Sequence, residues 1–270
     1  MRSVPILRSR VVVARVFGVV ALFSLPLDAA QVSQGQAGAA PQGAKPSMQV
    51  RKDFFHPPGP DDTAGFVQIF DGKTLEGWDG DPTFWRVENG AIVGESTPEK
   101  VVSQNTFLIW RGGVLQDFEL KVEFKMNGVN TGIQVRSMEM PAVGKWVLKG
   151  YQADADFGDR FTGNIHEERG RNVIVSRGQA VRITDDQQYK NLGTIADAAQ
   201  LGGMLKTNDW NQYHIIGRGP MLMQFLNGRL VAVLIDEDTK NRALEGVLGF
   251  QMHVGPPFKV EFRNIWYRRL

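Results

Sequence analysis

Three short stretches of this 270-residue chain carry hydrogen-bonding side chains at every second position. NTGIQVRS (130–137) has Gln134 and Arg136, and GYQADAD (150–156) has Gln152, Asp154 and Asp156. LGFQMHVG (248–255) has Gln251 and His253. Successive side chains of a strand point to opposite faces, so each stretch would separate small or apolar residues from these polar ones. Tyr151, Ala153 and Ala155 would face one way, as would Ile133 with Val135, and Phe250 with Met252 and Val254. Amides, carboxylates, guanidinium and imidazole all make directional hydrogen bonds. If the three strands are neighbours, their polar faces line one surface suited to sugar hydroxyls, with nearby Trp offering a flat apolar face. GNIHEERG (163–170) adds His166, Glu167 and Glu168. Neighbours on an extended chain point opposite ways, so one of the two glutamates would reach that surface.

Each of these residues also has a plainer reading. Arg136 could pair with Asp154 across strands, and Asp156 could cap a turn before Gly158. His214, in WNQYHIIG, reads as a surface or core histidine. His253 shares a face with Gln251 and precedes the loop Gly255-Pro256-Pro257, which favours a site. Trp85, Trp146 and Trp210 read as core; Trp110, followed by Arg111-Gly112-Gly113, reads as the exposed one. The chain has no G-x-S-x-G elbow, no H-E-x-x-H and no phosphate-binding glycine loop, which argues against common hydrolase, zinc-protease and nucleotide chemistry.

The elements that must position these residues are short strands. FWRVENGAIVGE (84–95) and MLMQFLNGRLVAVLID (221–236) are hairpins turning at Asn89-Gly90 and Asn227-Gly228. DFELKVEFKM (117–126) alternates, with Phe118, Leu120, Val122, Phe124 and Met126 inward. FKVEFRNIWY (258–267) alternates again, with Phe258, Val260 and Phe262 inward. Many short strands and 30 Gly predict an all-β sandwich. TIADAAQL (194–201) is the only piece with a helical look.

Residues 1–30 predict a signal peptide: Arg2, Arg8, Arg10 and Arg15 precede the apolar run 16–27 and the small residues at 28–30. Residues 31–63 are rich in Gln, Gly, Ala, Ser and Pro and predict a flexible linker, leaving 64–270 as one domain. Without the signal segment's four Arg and one Asp, the net charge falls from +2 to about −1, so the high isoelectric point implies no basic partner. No basic stripe argues for nucleic acid. The expected location is periplasmic or secreted, with no stable membrane insertion after signal cleavage. With no Cys there are no disulfides, and a hydrophobic core must hold the domain.

FVQIFDGKTLEGW (66–78), FWRVENGAIVGE, DFELKVEFKM, NTGIQVRS, GYQADAD, GNIHEERGR, WNQYHIIGRG, LNGRL and LGFQMHVGPPFKVEFRNIWYRRL occur in one order. In that order the chain, over about 66–270, resembles the 3-keto-disaccharide hydrolase domain family. The resemblance implies a concanavalin A-like jelly roll of two curved antiparallel sheets. It also implies action on a glycoside or oligosaccharide already oxidised at C3. A C3 ketone acidifies the C2 proton; a base removes it, the enolate expels the aglycone from C1, and water adds. Such a site needs a base, a donor for the enolate oxygen and an acid for the leaving group. On this basis His253 is expected as base, Glu167 or Asp154 as acid or orienter, and Arg136 as enolate donor. Gln134, Gln152 and Gln251 would read hydroxyls, with Tyr151, Trp110 and His166 as further substrate contacts. No metal ligand set is specified, although Asp154, Glu167 and His253 are compatible with a divalent cation. His166 stands where the family more often has an aromatic residue. A non-catalytic carbohydrate-binding module, or a structural surface domain, would use the same sandwich.

Overall fold

The computed structural model describes residues 62–197 and 199–270. The predicted signal peptide and nearly all of the predicted linker lie outside them. In chain order the strands are β1 (Val67–Gln68), β2 (Trp78–Asp79), β3 (Trp85–Glu88), β4 (Ala91–Glu95), β5 (Thr106–Trp110) and β6 (Phe118–Met126). They continue with β7 (Asn130–Glu139), β8 (Leu148–Asp156), β9 (Ile165–Glu168), β10 (Asn172–Val175), β11 (Gln179–Ile183) and β12 (Tyr189–Thr194). The last five are β13 (Asn211–Arg218), β14 (Met221–Leu226), β15 (Arg229–Asp236), β16 (Val247–Met252) and β17 (Lys259–Arg269).

They form two sheets. One has ten strands in the order β12-β11-β15-β14-β13-β6-β17-β4-β3, with β1 also on β17; the other runs β10-β9-β8-β7-β16-β5-β2. Both predicted hairpins form, β3–β4 and β14–β15. Pairing is antiparallel except between β11 and β15, which run parallel. The domain is an all-β jelly-roll sandwich. The 194–201 stretch, expected as its one helical piece, contains turns in its described residues: Gln200 N donates to the Asp197 carbonyl at 2.9 Å. No helix among the described residues is long and apolar enough to cross a membrane.

The core lies between the sheets and consists of the residues that alternation turns inward. Phe118, Leu120, Val122, Phe124 and Met126 of β6 are buried, as are Phe258, Val260 and Phe262. Phe250 of the seven-stranded sheet stacks on Phe262 of the ten-stranded sheet, with ring centroids 4.1 Å apart, and on Trp78 at 5.1 Å. Each such ring contributes about 1.5–3 kcal/mol by leaving water. With no Cys, this layer carries the stability of the fold.

The seven-stranded sheet has a second, outward face, and it is divided. Over β5 and the start of β8, Phe107, Ile109 and Leu148 form a small apolar cluster with Trp146 and Val247. The 140–147 segment folds over this half, held where Phe107 N donates to the Trp146 carbonyl at 2.9 Å and Trp146 Nε1 donates to Asp79 Oδ1 at 2.7 Å. Over β9, β8, β7 and the end of β16 the outer face is polar and carries a cavity.

Candidate active site

Cross-strand register builds the polar half. Val173 of β10 lies opposite His166 of β9, His166 opposite Gln152 of β8, and Gln152 opposite Gln134 of β7. One pair along, Asp154 lies opposite Gly132. The result is a cavity of about 360 Å³ lined by Val129, Asn130, Gln152, Asp154, Asp156, Phe161, His166, Glu168, Val173, Gln251 and His253.

The polar side chains of this wall are linked. Gln152 Nε2 donates to Gln251 Oε1 at 3.4 Å, and Gln251 Nε2 donates to Glu168 Oε2 at 3.4 Å. His166 Nε2 lies 3.9 Å from Glu168 Oε2. Asn105 ties two parts together: its Nδ2 donates to Glu168 Oε1 at 3.2 Å, and its Oδ1 accepts from Val254 N at 2.9 Å. It therefore fixes the glutamate against the loop that carries His253. His253 stands just past β16, with Nδ1 at 2.5 Å from the Val254 carbonyl oxygen.

Asp154 is the most perturbed carboxyl of the cavity. Burial disfavours its charged form and pushes its pKa up to about 7, only partly offset by Asn130, whose Nδ2 donates to Asp154 Oδ1 at 2.8 Å. Its backbone is pinned from the other sheet: the Tyr213 hydroxyl donates to the Asp154 carbonyl and accepts from Gly163 N at 2.9 Å. Burial holds His166 below the usual histidine range, and nearby His253 lowers it further, against the opposing pull of Glu168 and Glu167. Burial thus displaces a carboxyl and an imidazole of one cavity in opposite directions, each toward its neutral form.

Gly132 leaves the space that Gln152 occupies, since a Cβ there would stand 2.2 Å from Gln152 Cδ. Gly132→Ala is therefore expected to displace the Gln152 amide. The fold would be kept while kcat/KM falls on the order of tenfold or more. Circular dichroism alongside turnover checks this; an unchanged kcat/KM would remove Gln152 from the site.

The structure thus brings together Gln152, Asp154, His166, Gln251 and His253 from the sequence expectations. It takes five others elsewhere. Arg136 lies on a bulge between Val135 and Met138, with φ at +48°, and its side chain leaves the polar face. Its Nε donates to the Gln116 carbonyl at 2.8 Å and its Nη1 to the Gly219 carbonyl at 2.6 Å, and its charged partner is Asp117 at 3.3 Å, not Asp154. Tyr151 is on the core face and donates to Asp236 at 2.6 Å. Trp110 is buried against Tyr267, so it offers no exposed platform. Glu167 turns away from the cavity to Arg171, whose Nε donates to it at 2.6 Å, and Glu168 takes the outward place. Gln134 is on the outer face but fully buried, its amide 3.3 Å from that of Gln152.

Asp156 caps its turn as expected, accepting from Arg160 N at 2.9 Å, while still edging the cavity. His214 is half-buried on the ten-stranded sheet, stacked on Phe225, and has no part in the cavity. Sequence reasoning missed Asn105, Val129, Asn130, Phe161 and Val173. Asn130 was within reach, because its two-residue spacing to Gly132 and Gln134 puts it on the polar face; the rest come from loops or from an apolar position on β10. No group of three or more His, Asp or Glu among the described residues is placed to hold a metal ion.

The jelly roll carries this site on the outer face of its seven-stranded sheet. Residues 65–268 match the family described as the 3-keto-alpha-glucoside-1,2-lyase-like domain, and the chain belongs to that family. Among solved structures it is similar to a presumed glycosyl hydrolase from Parabacteroides distasonis ATCC 8503. The identity is 20%, with 76% of this chain and 99% of that chain covered and a TM-score of 0.50. A second presumed glycosyl hydrolase from the same organism matches at 18% identity, covering 77% and 94%, also at 0.50. These likenesses support the fold. No curated protein matches the chain.

Proposed function

We propose that this domain is an exported enzyme that cleaves glycosides oxidised at C3 of the sugar. His253 takes the C2 proton, and the electron pair passes into the C3 carbonyl as an enolate. The enolate then re-forms the ketone and expels the aglycone as the C1–O bond breaks, with Asp154 protonating the departing oxygen. Addition of water across the resulting C1=C2 bond completes net hydrolysis. Asn130, Gln152 and Gln251 offer amide donors to the enolate oxygen and the hydroxyls, in the place Arg136 was expected to fill. Glu168 orients His166.

The observation that carries this reading is the Asp154 carboxyl with a pKa of about 7 in the same cavity as two imidazoles. A carboxyl with a pKa near neutrality can hold a proton and release it there, which protonating a departing oxygen requires. An ordinary glycosidase relies instead on a pair of carboxyls flanking an oxocarbenium ion.

The test is a panel of 3-keto-glucosides in deuterated water, with and without chelator, followed by NMR at C2 and by aglycone release. Deuterium at C2 and released aglycone are expected, with the unoxidised glucosides inert. Binding without exchange or release across the panel would make the domain a carbohydrate-binding module.

A further inference from the structure

The cavity has a second wall that the chemistry above does not use. Val129 from the β6–β7 turn, Phe161 from the β8–β9 loop and Val173 from β10 converge on it. They come from three separate elements, and Val173 remains 39% exposed although its cross-strand neighbour is His166. Phe161 is backed by Arg160, whose guanidinium carbon lies 4.5 Å from the ring centroid.

Val129 carries the argument furthest. Its φ is +57°, a left-handed conformation that a β-branched residue adopts only at a cost. Gly or Asn would occupy that position with far less strain. The surroundings hold the valine in place. Phe157 N donates to the Val129 carbonyl at 3.0 Å, and Cγ1 of Val129 stands 2.9 Å from where a Cβ on Gly255 would be. Gly255 belongs to the loop that follows His253. The strained backbone therefore places an isopropyl group on the cavity rim beside the proton-transfer residues.

We propose that Val129, Phe161 and Val173 form an apolar subsite for the leaving group. It selects glycosides with an apolar, ring-bearing aglycone over those whose aglycone is a second sugar. This rests on the catalytic reading above for its chemistry, but not for its binding preference. A second sugar would set hydroxyls against three side chains that cannot hydrogen-bond, whereas an aromatic aglycone would lose only water-exposed apolar surface.

The experiment compares 4-nitrophenyl 3-keto-glucoside with a 3-keto-disaccharide, by kcat/KM and by calorimetric binding, in wild type, Val129→Gly and Val173→Ser. Wild type should favour the nitrophenyl compound by on the order of tenfold or more. Val129→Gly should keep or raise Tm, because it relieves the backbone, while that preference shrinks several-fold; a role confined to shaping the turn would raise Tm and leave the ratio alone. Val173→Ser should shrink the ratio independently, which covers a Val129 variant that fails to fold. Equal or reversed preference in wild type, or a ratio unmoved in both variants, overturns the subsite. Preferential nitrophenyl binding without turnover would leave the subsite standing and sink the catalytic reading. No binding of either compound would overturn both.

Discussion

Asp154→Asn is expected to lower kcat for aglycone release on the order of 10²–10⁴-fold while leaving C2 deuterium exchange in place. Asn is nearly the same shape and can still accept from Asn130 Nδ2, but it cannot donate a proton to a departing oxygen. If His253 is the base, the enolate still forms and re-protonates in this variant, so exchange continues without cleavage. His253→Ala should lose both signals. An Asp154→Asn enzyme that releases aglycone at the wild-type rate would remove Asp154 from the acid role.

The same variant has a stability signature of opposite sign. The Asp154 pKa rises from 3.8 to about 7 on folding. Between those values the folded protein binds a proton that the unfolded chain has released, so stability falls as pH rises through that window. Above it the full cost is present, roughly 4 kcal/mol as a ceiling. Asn carries no charge at any of these pH values, so the variant should lack this slope. It should also be the more stable protein at pH 8, as thermal unfolding of the pair between pH 4 and 8 would show. A cost of this kind, retained at a functional position, is a familiar trade between stability and activity.

The second large effect belongs to Arg171. Its Nε donates to Glu167 at 2.6 Å, its Nη2 to Asp236 at 2.5 Å, and its Nη1 lies 3.4 Å from Asp238. Tyr151 donates to Asp236 as well. Burial alone would lower the arginine pKa, but the hydrogen bonds it donates to Asp236 and Glu167 hold it above the ordinary value. Glu167, Asp236 and Asp238 are all buried, so Arg171→Met would leave three carboxylates inside with no cation among them. A loss of about 3–5 kcal/mol is expected, or a Tm lower by on the order of 10 °C. Arg171→Lys should recover only part of it, because an ammonium cannot reproduce the planar fork. A Tm unchanged in Arg171→Met would show that this cluster does not hold the sheets together.

The strands were legible in the sequence because their signals are local. Asn-Gly turns and period-two alternation name β3–β4, β14–β15 and the inward face of β6 without any knowledge of neighbours. Half of the site was legible for the same reason: Gln152, Asp154, Gln251 and His253 follow from parity along single strands. Parity failed where the backbone breaks it. The bulge after Val135 turns Arg136 off the polar face, and nothing in NTGIQVRS announces a bulge. In HEE parity says that one glutamate faces the cavity, but only the pairing of β8 with β9 decides that it is Glu168. Tyr151 was placed on the core face by parity and yet counted with the substrate contacts; parity was right. Asn105 and Phe161 reach the site from outside the strands, where sequence spacing carries no geometric information.

The 140–147 segment has consequences for the size of molecule that can be processed. An open cleft across a sheet would let a polymer lie with units on both sides of the reactive one. Here the outer face is walled off over β5 by Trp146 and the apolar cluster beneath it. A polysaccharide laid across the strands would strike that wall directly beyond Gln251, whose cross-strand neighbour on β5 is Phe107. Under the proposed function, this wall limits how far a ligand can extend past Gln251 toward β5.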